Sequence, residues 1–478
     1  MFVLKVSLLL LLGWLFNLES VQGKNITDYH LNYEGYKIFD IHLENPQKYK
    51  SFMDDFHKSL DVIGRGEEPH SIRVLLEPSK IPTIKNYLKK HQLTYATINN
   101  NVAKSVHIER VVQRASRSAV NNNDDDINFY SYQRFDVINN YLDRLAAEFP
   151  QQVTTVELGQ SYEGRTLKAI HIHSQQSGDK SEKKPLIFID AGLHAREWIA
   201  HATALYVIQQ LVENATFYRR ELEMYDWLIW PVVNPDGYEY SHTSERFWRK
   251  TRQPDPEGYS KCVGVDLNRN FDFYWAFVGS SFDPCDIDYH GPEPFSEPEA
   301  VALRELLFKV NDTCRMYLTL HSYGGYFLYP WGYDNVLPPN WRYLDAVARA
   351  GLETIRNASG SFYTAGSSAR TLYPASGASD DFAYGVAKIP VVMCMELPSG
   401  GSGFDPPADR ILPLVAESWQ GIRAMTREVH DYPLRNGGTT IALNKQQCVH
   451  TSRKPTFVES HQRLRSPQTY CFVHLRRI

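Results

Sequence analysis

Four largely apolar runs punctuate the chain, at 186–191, 227–233, 316–320 and 389–395. Continuous rather than alternating apolar runs of this length read as strands buried on both faces. Between them the pattern changes to a 3.6-residue period, at 200–212 and 297–309, which predicts helices. Strands that alternate with helices imply an α/β fold: a mixed, largely parallel twisted sheet with helices on both faces. This main body is expected over residues 118–433.

Residues 24–117 are patterned differently. Positions 36–41 alternate like a strand, 47–60 read as a helix, 71–76 as a strand, 81–92 as a helix and 93–98 as a strand. That describes a small α+β unit. It ends in a basic, polar stretch at 110–117. Asn121-Asn122-Asn123-Asp124-Asp125-Asp126 follows, carries no apolar side chain and reads as an exposed linker. Arg114 and Arg117 are natural sites for proteolytic nicking in such a setting. The last segment, 434–478, holds eight Lys/Arg against one Asp/Glu and has no clear period. It reads as a loose basic extension of unassigned role.

Composition narrows the class. A chain of 478 residues exceeds one ordinary domain, and 43% hydrophobic with 13% aromatic residues can build a large core. A net charge of −4 argues against nucleic acid as the main partner. At the start, Lys5 precedes a short apolar run and Gly23 offers a small residue for cleavage, so 1–23 reads as a secretory signal peptide. The run is too short to span a membrane comfortably. A soluble, secreted protein is expected. Six cysteines suit an oxidising compartment. Cys262 and Cys285 flank a polar, aromatic loop and are a candidate disulfide, Cys448 and Cys471 a second. Cys314 and Cys394 sit in or beside apolar runs and read as buried thiols. Sequons stand at Asn25, Asn214, Asn311 and Asn357.

Three of the apolar runs lead into residues with chemistry. The first is followed by His194-Ala195-Arg196-Glu197, the third by His321, and the last by Glu396. In open α/β sheets ligands bind at the carboxyl ends of the strands. Two His and one carboxylate hold Zn²⁺ and leave a position open for water. Such a metal polarises a carbonyl and lowers the pKa of its water. A further carboxylate must take that water's proton, and Glu396 is the candidate. Arg249 is the candidate cation for a developing oxyanion.

These motifs resemble the zinc metallocarboxypeptidases of the pancreatic A/B family, zymogens with a pro-domain, over roughly residues 25–433. The resemblance rests on His194-x-x-Glu197, Asn234-Pro235-Asp236-Gly237, Arg249-Lys250-Thr251-Arg252, Asp266-x-Asn268-Arg269-Asn270, Gly291-Pro292, Pro294 to Glu299, His321-Ser322-Tyr323, and Tyr373 with Ala375-Ser376-Gly377. It implies a zinc-dependent exopeptidase acting on the C-termini of peptides and proteins. His194, Glu197 and His321 would bind one Zn²⁺, with Asp266 orienting His194. Arg249 and Glu396 would be catalytic. Asn268 and Arg269 would grip the terminal carboxylate, Tyr373 would cover the bound residue, and Arg196 and Tyr323 would line further subsites. The position seven after the covering Tyr is Asp380, where the family's B-type members carry Asp and the A-type an apolar residue. The resemblance therefore implies release of C-terminal Lys and Arg. Residues 24–117 would be an inhibitory pro-domain with its activation segment, removed by a trypsin-like protease. A monomer is expected, with no nucleic-acid or membrane partner. The alternatives are an A-type preference, and a non-catalytic relative that binds zinc and peptide.

Overall fold

The computed structural model describes residues 33–56, 60–66, 70–119, 127–173, 184–255, 258 and 260–435. The expected signal peptide, the Asn121–Asp126 linker, the Cys448 and Cys471 pair and nearly all of the basic extension lie outside these residues, as do Asn25 and its sequon.

The N-terminal unit contains β1 (Lys37–His42), α1 (Pro46–Phe56), β2 (Asp61–Arg65), β3 (Ser71–Leu76), α2 (Ile81–Lys90) and β4 (Thr94–Asn99). Its four strands form an antiparallel sheet in the order β2-β3-β1-β4. Phe39, Ile41 and Val74 from the strands meet Phe52, Ile84 and Leu88 from the helices in a core of its own. Apolar residues four apart on α2 place Ile84 and Leu88 on one face.

Two expectations for this unit need correction. Leu60, the expected end of the first helix, lies outside it, and β2 occupies the residues just past that point. The basic stretch at 110–117, to which the pattern assigned no element, is helical. It lies in α3 (Val102–Ala119), whose residues Val102 and Val106, one turn apart, are buried. Gln113 is buried on that helix, and its side-chain oxygen accepts the Tyr132 N–H at 2.7 Å. Arg114 stands exposed on the same helix.

The main body continues with α4 (Phe135–Glu148), β5 (Val153–Gln160), β6 (Thr166–Ile172), β7 (Leu186–Ala191), α5 (Trp198–Val212), α6 (Arg219–Met224), β8 (Asp226–Trp230) and α7 (Pro235–Thr243). After a 3₁₀ turn (Leu267–Arg269) come α8 (Pro298–Val310), β9 (Cys314–Ser322), β10 (Tyr326–Tyr329), α9 (Trp341–Ser359), β11 (Thr364–Ser367), α10 (Ser368–Thr371), α11 (Ser379–Gly385), β12 (Val391–Leu397) and α12 (Ala408–Arg435). Eight strands form one mixed sheet in the order β11-β10-β12-β9-β7-β8-β6-β5. The central strands β12, β9, β7 and β8 are mutually parallel, and β6 and β5 add an antiparallel margin. All six residues of β7 are buried, as a strand covered on both faces requires. Burial of each such Leu, Ile or Phe side chain stabilises the fold by about 1.5–3 kcal/mol.

α12 carries the body two residues past the expected boundary at 433. Cys262 and Cys285 are disulfide-bonded, and Cys314 and Cys394 are buried free thiols. Among the described residues no helix is long and apolar enough to cross a membrane.

Candidate active site

The site is built where three of the central strands, β7, β9 and β12, end. β7 finishes at Ala191, and Gly192 then turns the chain with φ +78°, where a Cβ would lie 1.9 Å from the His201 ring. Only glycine fits that turn. It delivers His194 and Glu197 at the entrance to α5. His321 lies on β9, the neighbour of β7, and Glu396 lies on β12, in register with His321. The parallel arrangement thus places groups more than 100 residues apart in sequence side by side.

Their donor atoms converge. His194 Nδ1 is 2.8 Å from Glu197 Oε1 and 3.1 Å from His321 Nδ1, and His321 Nδ1 is 3.0 Å from Glu197 Oε2. All three residues are buried. The opposite ring nitrogens are held from behind, His194 Nε2 by Asp266 Oδ1 at 3.0 Å and His321 Nε2 by Thr319 Oγ1 at 3.2 Å. Two imidazoles, each held at its far nitrogen, and one carboxylate, aimed at a common point, form a donor set that fits zinc. Burial alone would raise the Glu197 carboxyl, but His194 and His321 outweigh it and hold the group well below the ordinary carboxylate range. Burial opposes charge on His321, yet the Glu197 carboxylate raises it to about 9. Metal binding there releases protons and is pH-dependent.

Asp266 has a second partner. Its Oδ2 accepts from Arg249 Nε at 3.0 Å and Nη2 at 2.8 Å, a bidentate pair that fixes the guanidinium beside the metal ligands. Asp266 Oδ1 also accepts the Asn268 N–H and so opens the 3₁₀ turn that carries Asn268 and Arg269. Asn268 Oδ1 accepts the Ser379 N–H at the start of α11, and Arg269 Nε donates to the Gly279 carbonyl at 2.7 Å. Glu396 is half-buried, and desolvation together with Glu197 pushes its carboxyl up to about 8 against the pull of His321 and Arg249.

His194, Arg196, Glu197, Arg249, Asn268, Arg269, His321, Tyr323, Tyr373, Asp380 and Glu396 all line one cleft of about 780 Å³. Asp266 stands behind it, and the disulfide is not among the lining residues. Asp380 lies in the first turn of α11, buried, on a wall shared with Gly332, Ser368 and Cys394. Burial raises its carboxyl, and Arg269 and His321 act on it only through their charge. The adjacent Asp381 has partners of its own, accepting the Gly332 and Tyr333 backbone N–H groups. Tyr373 is half exposed at the rim.

The N-terminal unit closes the other side of this cleft, through Val62, Ile63, Gly64, Ser71 and Ile72. Asp61 Oδ2 lies 2.8 Å from Arg196 Nη1, and the Arg196 guanidinium stacks on Phe404, 4.4 Å from the ring centroid. Gly64 approaches Tyr323 so closely that a Cβ would lie 2.6 Å from the ring. On α3, Glu109 pairs with the fully buried Arg246 at 2.7 Å. Sequence reasoning missed Asp61 and Gly64, which sit in a short strand between the expected helix at 47–60 and the expected strand at 71–76, where the pattern assigned no element.

Residues 138–421 match the family model described as zinc carboxypeptidase. Over 422 residues the chain is 35% identical to zinc carboxypeptidase A 1 of Drosophila melanogaster, covering 86% of this chain and 96% of that protein. It is 39% identical over 302 residues to carboxypeptidase B of Astacus astacus, covering 63% and 98%. The crystal structure of carboxypeptidase A from Helicoverpa armigera is similar with a TM-score of 0.77 at 32% identity, covering 84% of this chain and 98% of that one.

Proposed function

The chain belongs to the zinc carboxypeptidase family, and from that premise we propose that it is a secreted zymogen whose activated form removes Lys or Arg from peptide C-termini. Its relatives bear both A-type and B-type names, so identity alone does not choose between them. The observation that carries the choice is Asp380. It is a carboxylate 5% exposed on the wall of the cleft. Among the described residues it forms no ion pair with a lysine or arginine. A buried carboxylate is costly unless a cation reaches it, and a substrate's Lys or Arg side chain supplies one. The A-type reading has one observation in its favour. Burial raises the Asp380 carboxyl, and a protonated Asp380 would present a neutral wall.

The division of labour follows from the positions of the side chains. His194, Glu197 and His321 hold the zinc, which when bound supplies Lewis acidity to polarise the scissile carbonyl and acidify a water. Asn268 and Arg269 receive the terminal carboxylate, for which a planar guanidinium is suited. Arg249, locked by Asp266, faces the oxyanion that develops from the carbonyl. Glu396 takes the proton from the attacking water and passes it to the leaving nitrogen. Tyr373, at the rim, closes over the bound residue. Arg196 and Tyr323 contact residues further along the peptide.

Residues 24–117 serve as the inhibitory pro-domain in this reading. The support is steric, because the unit roofs the cleft and its Asp61 occupies Arg196. Arg114, exposed on α3, is accessible to a trypsin-like protease. Cleavage followed by loss of the unit would free both Arg196 and Tyr323.

The test is a trypsin time course on the secreted chain, followed with a small peptide ending in Arg. Hydrolysis should rise as the N-terminal unit is lost and vanish on zinc chelation. Full activity of the uncleaved chain would overturn the zymogen reading. No activity after proven removal of the unit would favour a binding protein.

A further inference from the structure

A second convergence of metal-type donors lies at the opposite end of the same sheet. His171 on β6 and His173 just beyond it are two residues apart, so both side chains leave the same face. β6 runs antiparallel to β8 with His171 opposite Leu228 and Ile172 opposite Trp227. Continued one residue, that register sets Asp226 opposite His173 on the same face. Asp226 Oδ2 is 3.7 Å from His173 Nδ1 and 3.9 Å from His171 Nε2, and the three donor atoms lie within 4.8 Å of one another. The imidazole rings are 3.9 Å apart.

We propose that His171, His173 and Asp226 form a second divalent-metal site of the zinc class, separate from the active site. Donors around zinc at the usual bond lengths stand about 3.4 Å apart in a tetrahedron, so the ring and carboxylate spacing needs to shrink by only a few tenths of an ångström. Two imidazoles and a carboxylate are the donor chemistry that zinc and its first-row neighbours prefer, and calcium and magnesium do not. His171 Nε2 is buried without a hydrogen-bond partner, an expense that a metal ligand removes. Thr154 Oγ1 lies 3.4 Å from His173 Nε2 and orients the ring so that Nδ1 faces Asp226. Lys309 on α8 is the cation that acts on His171 from the facing helix, and the Asp226 carboxylate offsets it.

The two sites are independent. Asp226 pairs with Leu186 at the start of β7, whereas His194 follows the end of that strand. Five residue steps of strand place them more than about 16 Å apart. An ion at the second site would pin β6 to β8, which share only three register pairs. It would therefore act on the stability of the sheet margin and leave catalysis untouched.

The test uses the full chain, dialysed against buffered free Zn²⁺ and assayed for bound metal by atomic emission. Wild type is compared with a His171→Ala/His173→Ala chain and with a His194→Ala/His321→Ala chain. Each pair of substitutions should remove one equivalent, and together they should remove two. Because the readout is a difference, zinc held elsewhere on the chain does not affect it. Added Zn²⁺ should also raise the melting temperature of the His194→Ala/His321→Ala chain, and this shift should vanish when His173→Ala is added. His173 is partly exposed, so this single substitution tests the site even if the double variant does not fold. Equal zinc content with and without His171 and His173, or a thermal shift that survives His173→Ala, would overturn the proposal.

Discussion

Asp266 Oδ1 lies 3.0 Å from His194 Nε2, on the side of the ring away from Glu197 and His321. The same carboxylate clamps Arg249 through its other oxygen. One buried acid thus fixes both a metal ligand and the cation beside it. Asp266→Asn keeps the size and loses the charge, so it should weaken zinc retention about 10–100-fold. It should also lower kcat, because Arg249 loses its bidentate partner. Competition with a chromogenic chelator measures the first effect, and unchanged zinc affinity would show that the pairing does not tune the metal.

Glu396 is not among the groups that converge on the metal point, although β12 sets it beside His321. Glu396→Gln should therefore retain zinc while kcat falls about 10²–10⁴-fold, the usual worth of a positioned acid–base group. KM should change little. Steady-state kinetics with a metal assay on the same preparation checks both. A variant with near-normal kcat would remove Glu396 from the proton path.

Asp61 is a charged contact of the N-terminal unit with the cleft, at 2.8 Å from Arg196. Asp61→Ala leaves a guanidinium buried without its carboxylate, which weakens docking of the unit. The uncleaved variant should show several-fold more hydrolysis of small substrates than the uncleaved wild type. Trypsin should also activate it faster. Identical latency in the two chains would place inhibition elsewhere, for example in the contact of Gly64 with Tyr323.

Much of this site was legible in the sequence, and the reason is physical. Strands buried on both faces are continuous apolar runs, so β7, β9 and β12 announce themselves. The polar residues that end them, His194, His321 and Glu396, stand out for the same reason. The sheet margins did not announce themselves. β5 reads Val153-Thr154-Thr155-Val156-Glu157-Leu158-Gly159-Gln160, half exposed and mostly polar. β10 and β11 are only four residues each. α3 was missed because its last turns are basic and its buried stripe is narrow. The pairing of Asp61 with Arg196 spans 135 positions, and no local pattern encodes it. The same holds for Asp226 with His171 and His173, which only strand register brings together.

Two buried acids outside the cleft set a pH dependence. Burial pushes Glu297 up to about 7, and burial with the neighbouring Glu297 pushes Glu299 up to about 8, from an ordinary value of 4.5. The folded chain keeps protons that the unfolded chain releases above about 4.5. The unfolded state thus binds fewer protons between those values, and stability falls with rising pH. The penalty is absent below about 4.5 and complete above about 8. Glu299→Gln should therefore melt higher than wild type at about pH 9 and lose that advantage at about pH 5. Scanning calorimetry across this range checks it, and a constant offset at all pH values would contradict the assignment.

The most direct measurement is the ratio of kcat/KM for two matched peptides, one ending in Arg and one in Phe, on trypsin-activated chain. It should be made on wild type and on Asp380→Ile in parallel, each with and without a zinc chelator. The expected result is a chelator-sensitive preference for Arg in the wild type, of about 10²-fold or more, which reverses towards Phe in the variant. A wild type that prefers Phe, or a preference for Arg that survives Asp380→Ile, would contradict the assignment of Asp380 as the group that selects the C-terminal residue.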